Sequence, residues 1–209
     1  MALEKSDPLK KLSTKMKLFL AGISFLLIIT AAAFGNTLTV INHDDSGPGS
    51  LRDAIANAAP GDTIVFDLPA SDTITLTSEG LVIDKDLTIT GPGADQLTVA
   101  RSSAGATPAF IVFDVMQGAV TINGLTISNG DGSMLPYGGG LHSQSSGHIV
   151  ISGCTFTNNL GNMGGGFGTE GSGGVTLMFC TFTGNIAVMG GAIYCGGNVT
   201  ISHSTITEG

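Results

Sequence analysis

Cysteines, histidines and carboxylates are the side chains of this 209-residue chain that could do chemistry. A thiol pair can close a disulfide or, with histidine, hold zinc. A histidine beside a hydroxyl or thiol activates a nucleophile. Two carboxylates about 5–10 Å apart can cleave a glycosidic bond. Cys154, Cys180 and Cys195 contain no Cys-x-x-Cys and no Cys/His cluster, so zinc is not expected. His43, His142, His148 and His203 are scattered and none stands at a motif spacing from a nucleophile, so all four are read as solvated surface residues. Asp44 and Asp45 adjoin in a turn, Asp84 and Asp86 flank Lys85, and Asp114 and Asp131 fall in different segments. A pectate-type lyase needs a basic catalytic residue beside calcium carboxylates, and beyond residue 35 only Arg52, Lys85 and Arg101 are available. A weak structural calcium site at Asp44–Asp45 or Asp84–Asp86 is the one metal reading left open. No catalytic, cofactor-binding or metal-ligating residue is assigned, no cofactor is expected, and the chain is read as non-catalytic.

The elements that must position these groups repeat. Gly138-Gly139-Gly140-Leu141 returns as Gly164-Gly165-Gly166-Phe167 and as Gly190-Gly191-Ala192-Ile193, each step 26 residues. The blocks His148 to Phe156, Gly174 to Phe182 and Asn198 to Ile206 follow them in turn. Aligned, they form columns: Val120, Ile149, Val175 and Val199; Ile122, Ile151, Leu177 and Ile201; Ile127, Phe156, Phe182 and Ile206; Leu141, Phe167 and Ile193. Between column members stand mostly Thr, Ser, Asn and Gly, the alternation of strands with one buried face. A fixed period of this length means stacked units that cannot bury their apolar faces alone. The fold expected is all-β: a single-stranded right-handed parallel β-helix of about six coils, with three short strands per coil. Right-handedness is taken from the chirality of parallel crossovers. Asn159 and Asn185 are read as stacked ladder residues at a turn that tolerates a left-handed backbone. Leu125, Cys154, Cys180 and Ser204 form one more inward column. Stacked free thiols are the favoured reading of Cys154 and Cys180. A disulfide, which a secreted context permits, is the other.

Phe156-Thr-Asn-Asn159 and Phe182-Thr-Gly-Asn185 fit Phe-x-x-Asn, and Gly190 to Ile193 fits Gly-Gly-Ala-Ile. The alternation over residues 119–209 resembles the repeat of the polymorphic outer membrane proteins, bacterial surface β-helices. Gly164 to Phe167 departs from it by Gly-Phe for Ala-Ile, and the last unit lacks its Asn. The resemblance implies a bacterial surface or secreted protein. Autotransporter-type members carry a C-terminal membrane barrel, which this sequence does not include. The run from Gly47 to Asp67 also resembles the N-terminal segment of many secreted bacterial β-helix proteins.

Residues 1–35 read as a cleavable signal peptide. Lys10, Lys11, Lys15 and Lys17 precede a 16-residue apolar run, Leu18 to Ala33, shorter than the roughly 20 residues a bilayer span needs. Cleavage is expected before Asn36; Met16 is an alternative start. Beyond Gly35 three basic residues face fourteen acidic ones, a net charge of −11, which disfavours nucleic acid and anionic polysaccharide as partners. Residues 36–67 are expected to be an N-terminal cap of strand, short helix and strand. In it Ser50 caps a helix whose Leu51, Ala54, Ile55 and Ala58 share one face. Arg52 and Asp53 are read as cap surface. Residues 68–209 are expected to be the parallel β-helix, which ends in mid-pattern and is read as incomplete at its C-terminus. The function expected is that of a secreted, outer-membrane or cell-surface β-helix acting as adhesin, passenger or structural module. Host or surface glycans or proteins would be its partners, and no membrane-spanning segment is expected in the mature chain. The alternative is a polysaccharide-active enzyme, lyase or hydrolase, or a carbohydrate-binding module.

Overall fold

The computed structural model describes residues 35–135 and 137–207; all but the last residue of the expected leader lies outside them. Among the described residues no helix is long and apolar enough to cross a membrane.

The chain winds through three walls in a fixed order. The first wall has seven strands: Thr37–Val40, Asp62–Phe66, Leu87–Thr90, Val120–Asn123, Ile149–Ser152, Val175–Met178 and Val199–Ser202. The second has six: Asp72–Leu76, Leu97–Arg101, Thr126–Ser128, Thr155–Thr157, Thr181–Thr183 and Thr205–Ile206. The third has five: Leu81–Asp84, Phe113–Gln117, Leu141–Ser143, Phe167–Thr169 and Ile193–Cys195. Every pairing is parallel, and the registers are those of the sequence columns: Ile149 on Val175, Phe156 on Phe182, Leu141 on Phe167. This is an all-β parallel solenoid of about six turns. Column members from Ile64 to Phe182 line the interior and are fully buried, and Phe156 and Phe182 stack face to face with ring centroids 4.7 Å apart.

Three local features differ from the sequence reading. The apolar run Phe110 to Phe113 reads as a strand from its sequence, but the strand starts only at Phe113 and continues to Gln117. Leu160–Met163 and Ile186–Met189 pair as a further two-stranded strip, because the corner after the second wall is long enough to extend. The left-handed turn residues are Asn158 (φ 55°) and Gly184 (φ 63°), one position before Asn159 and Asn185. Those two asparagines turn inward and are buried. The Asn159 amide donates to Ile127 O (3.0 Å) and Asn185 Oδ1 (3.0 Å) and its Oδ1 accepts from Gly130 N–H (2.9 Å), while Asn185 Nδ2 donates to Phe156 O (2.9 Å). The glycine pairs of the next corner are there for close approach. A Cβ on Gly165 would stand 2.5 Å from the carbonyl oxygens of both Gly191 and Ile186.

The helix Leu51–Asn57 lays Leu51, Ala54 and Ile55 against the open end of the tube. Ser50 Oγ accepts from Asp53 N–H (3.2 Å), and Asp53 Oδ2 in turn accepts from Gly49 N–H (3.0 Å). Arg52 is more than cap surface. Its guanidinium meets Asp45 Oδ1 at 2.6 Å and donates to the carbonyls of Gly80 (2.7 Å), Glu79 (2.7 Å) and Asp45 (3.0 Å). Asp45 Oδ2 accepts from Thr77 N–H (3.0 Å), Thr77 Oγ1 (2.9 Å) and Ser78 N–H (2.9 Å). Helix, preceding turn and first full coil are thus bolted together. Burial disfavours the Asp45 charge, but the Arg52 guanidinium and the Thr77 and Ser78 donors outweigh it and hold the carboxyl well below the usual carboxylate range. A carboxyl depressed on folding contributes stability at pH above its unfolded value, about 3.9, and loses it as pH falls toward the folded value. Arg52→Ala should therefore lower the unfolding free energy by about 2–3 kcal/mol at pH 7. It should also flatten the acid limb of stability between about pH 4 and pH 2. Denaturant titrations of both proteins across that range test this; parallel pH profiles would refute the bolt.

Candidate functional site

The outer face of the third wall collects the polar groups that the sequence leaves scattered. Asp114, His142, Gly168 and Tyr194 occupy one in-register outward column. His142 faces outward from the wall but is not solvated as expected: the residue is 2% exposed. The cause is the loop between Ser128 and Leu141. Gly130 N–H is caught by Asn159, Asp131 bridges to Leu160, and Asn162 N–H donates to Tyr137 O (3.2 Å). These contacts fold the loop flat, and the Tyr137 ring lands on the imidazole, centroids 4.3 Å apart and 5° from parallel. Gly168 makes the approach feasible one coil further on, where a Cβ would come within 3.1 Å of Gly138 N.

Under this cover His142 Nδ1 lies 2.8 Å from Asp114 Oδ1. An ionised carboxylate only accepts, so the hydrogen-bond network assigns a proton to Nδ1; in the neutral imidazole Nε2 is then the acceptor. Nε2 is buried and has no partner among the described residues. Hydrogen bonding to the Glu170 carboxylate, with a smaller contribution from burial, raises the Tyr137 phenol above its ordinary value. Asp114 lies on the strand Phe113–Gln117, and Glu170 directly follows the strand Phe167–Thr169, two strand spacings or about 10 Å further along the tube. An oriented imidazole with a free Nε2 is the form a general base takes, but here Tyr137 closes the nitrogen off.

The remaining candidates stay apart. His43 pairs with Asp72 (3.1 Å) and His148 with Thr176 (3.0 Å), both on the surface. His203 stacks on Phe179, centroids 4.9 Å apart, at a left-handed turn. Asp45 is committed to Arg52. Asp84 sits 3.4 Å from Lys85 Nζ, and Asp86 accepts from Ala119 N–H (2.8 Å). Among the described residues no three His, Cys, Asp or Glu side chains converge in a way that could hold a metal ion. A cleft of about 310 Å³ beside the cap is lined by Arg52, Ile55, Glu79, Gly80 and Lys85. Its cations already serve the fold, Lys85 Nζ reaching Ala58 O at 3.2 Å.

The three thiols are free. Cys154 and Cys180 are buried, and their sulfurs lie 3.3–3.6 Å from backbone carbonyls of their own and the preceding coil. Burial pushes Cys154 up to about 12 and Cys195 up to about 11, and raises Cys180 too. Thiolate is the reactive form, so Cys154 and Cys180 should resist a thiol reagent at pH 8 until denaturant is added. Rapid labelling of Cys154 in the native protein would contradict the inward column.

The 26-residue step alone puts His142, Gly168 and Tyr194 in one column, but it does not reach Asp114, 28 residues before His142. The signal was present: one coil earlier the same outward position is Asp114. It is hidden because the apolar run Phe110 to Phe113 reads as the strand, which in fact runs from Phe113 to Gln117. The Tyr137 and Glu170 contacts had no sequence signal.

A family model described as a right handed beta helix region matches residues 111–209. No curated protein and no solved structure matches the chain. The matched region covers the part of the solenoid that carries the regular columns and the third-wall cluster, and its described handedness is the one expected from the parallel crossovers.

Proposed function

We propose that this protein is a secreted or cell-surface β-helix of bacteria that works without catalysis, as an adhesin, passenger or structural module. The observation that supports this most is the continuous in-register stack, which spends its apolar residues on the interior and offers long, regular outer faces. The groups best suited to chemistry are drawn into holding that stack together: Arg52 and Asp45 at the cap, His142 and Asp114 beneath Tyr137. The Phe-x-x-Asn and Gly-Gly-Ala-Ile alternation resembles polymorphic outer membrane proteins and supports a surface location, as does the basic-then-apolar N-terminal segment. Partners would be surface glycans or proteins.

A second reading, a polysaccharide-active enzyme or sugar-binding module, is favoured by one feature. Asp114 and Tyr194 on the third wall stand near Tyr137 and Glu170 in its flanking loops, and a pair of carboxylates is what glycosidic cleavage requires. One experiment separates the two. The purified protein is applied to a glycan array and incubated with a panel of neutral and acidic polysaccharides. Binding without release of oligosaccharides fits the surface module. Turnover that disappears in Glu170→Gln would replace it by the enzyme. Surface proteolysis of intact producing cells tests the location.

A further inference from the structure

The outer face of the second wall carries a pattern that neither reading uses. Thr73, Thr98, Thr126, Thr155, Thr181 and Thr205 form one unbroken in-register column. Two residues further along each strand runs a second column, in which Thr157 pairs with Thr183, flanked by Thr75 at one end and interrupted by Ala100 and Ser128. Neither column contains a charge or a bulky side chain. The Thr126 hydroxyl donates to Ala94 O (2.6 Å). Those of Thr155, Thr157, Thr181 and Thr183 have no protein partner among the described residues.

The geometry points to an ice-binding face. Strand spacing sets the threonines about 4.8 Å apart along the tube, and two residues of strand set the columns about 6.6 Å apart. Both repeats lie close to the oxygen repeats on a prism plane of hexagonal ice. Each threonine presents a hydroxyl that both donates and accepts and a methyl group that disfavours disordered water. The platform is stiff, since Ile74, Val99, Ile127, Phe156 and Phe182 beneath the threonines are fully buried in close-packed core. A soluble ligand is recognised by a concave pocket with a few placed polar groups, whereas a regular repeating array suits a solid lattice; the array is open around Thr155, Thr157, Thr181 and Thr183 and covered at Ala100 and Ser128, each 6% exposed. The first wall has one comparable column, Thr37, Thr63, Thr88 and Thr121, then Thr176 and Thr200 beyond a break at Val150, but its second column has no adjacent threonines, running through Val65, Asn123, Ser152, Met178 and Ser202. That wall is the internal control, and the inference is independent of the surface role proposed above.

The test uses the purified protein in two assays, thermal hysteresis and partition into slowly growing ice. The expected result is enrichment in the ice fraction and facetted crystals. Thr155→Lys and Thr181→Lys, each verified as folded by circular dichroism, should abolish both effects, and Thr121→Lys on the first wall should leave them unchanged. Should either lysine variant misfold, Thr155→Val keeps the β-branched shape, removes the hydroxyl and should weaken partition. Exclusion of the wild-type protein from ice overturns the inference. So does loss of partition in Thr121→Lys with retention in Thr155→Lys, or binding to crystalline chitin or cellulose without binding to ice.

Discussion

Phe156→Ala should lower the unfolding free energy by about 3–5 kcal/mol, the range for deleting a buried aromatic side chain. Phe156 is fully buried, lies on Ile127 below and stacks on Phe182 above with the rings 4° from parallel. The cavity would open between two coils, where the backbone ladders keep the strands at fixed spacing and oppose collapse. Each coil of a solenoid depends on its neighbours, so the damage should spread toward the C-terminal coils and leave the capped end more protected. Hydrogen exchange on the variant should show early loss of protection over Ile149–Ser202 and later loss over Leu87–Asn123. Phe156→Leu conserves more volume and should cost about 1.5 kcal/mol or less. Uniform loss of protection across all coils, or a cost in Phe156→Ala no larger than in Phe156→Leu, would falsify the idea of a stack coupled between nearest neighbours.

Asn159→Ala should be comparably severe for a different reason. The side chain is 1% exposed and serves three partners: it accepts from Gly130 N–H, and donates to Ile127 O and Asn185 Oδ1. Alanine leaves these buried groups without a substitute, each at about 1–3 kcal/mol. A total of roughly 3–5 kcal/mol is expected, since the Asn185 oxygen keeps its contact with Asn159 N–H (3.1 Å). Asn159→Asp retains the acceptor for Gly130 but loses the donors and buries a charge, so it should be no better than alanine at pH 7 and improve on acidification. Because Gly130 opens the loop that carries Tyr137, both variants should also loosen the cover over His142. Tyr137 fluorescence quenching by acrylamide reports this. Full native-like protection of Tyr137 in Asn159→Ala would show that Asn162 and the stack on His142 hold the loop unaided.

This chain's titratable groups are mostly either isolated on the acidic surface or consumed in joining coils, as Asp45 joins the cap to Thr77 and Ser78. The third-wall cluster comes nearest to an active site, and its imidazole is covered by the chain's own tyrosine. The second wall offers no titratable group on its outer columns, only a repeat of hydroxyl and methyl. A function carried by such a face is invisible to a search for catalytic spacing.

The parallel ladder was readable from the residues alone, down to which side chain rests on which: Val120 on Ile149, Ile127 on Phe156, Cys154 on Cys180. In-register stacking converts a step of 24 to 29 positions directly into vertical contact, so counting along the chain amounts to measuring across it. The capping helix was legible for a related reason, because Ser50, Asp53 and the Leu51–Ile55 face act within two turns. The burial of His142, the grip of Arg52 on Glu79 and Gly80, and the inward turn of Asn159 one place past the left-handed residue were not legible. Each depends on the path of a corner or loop whose length changes from coil to coil. Such a segment has no period, and its side chains meet only after the walls on either side have fixed where it must run.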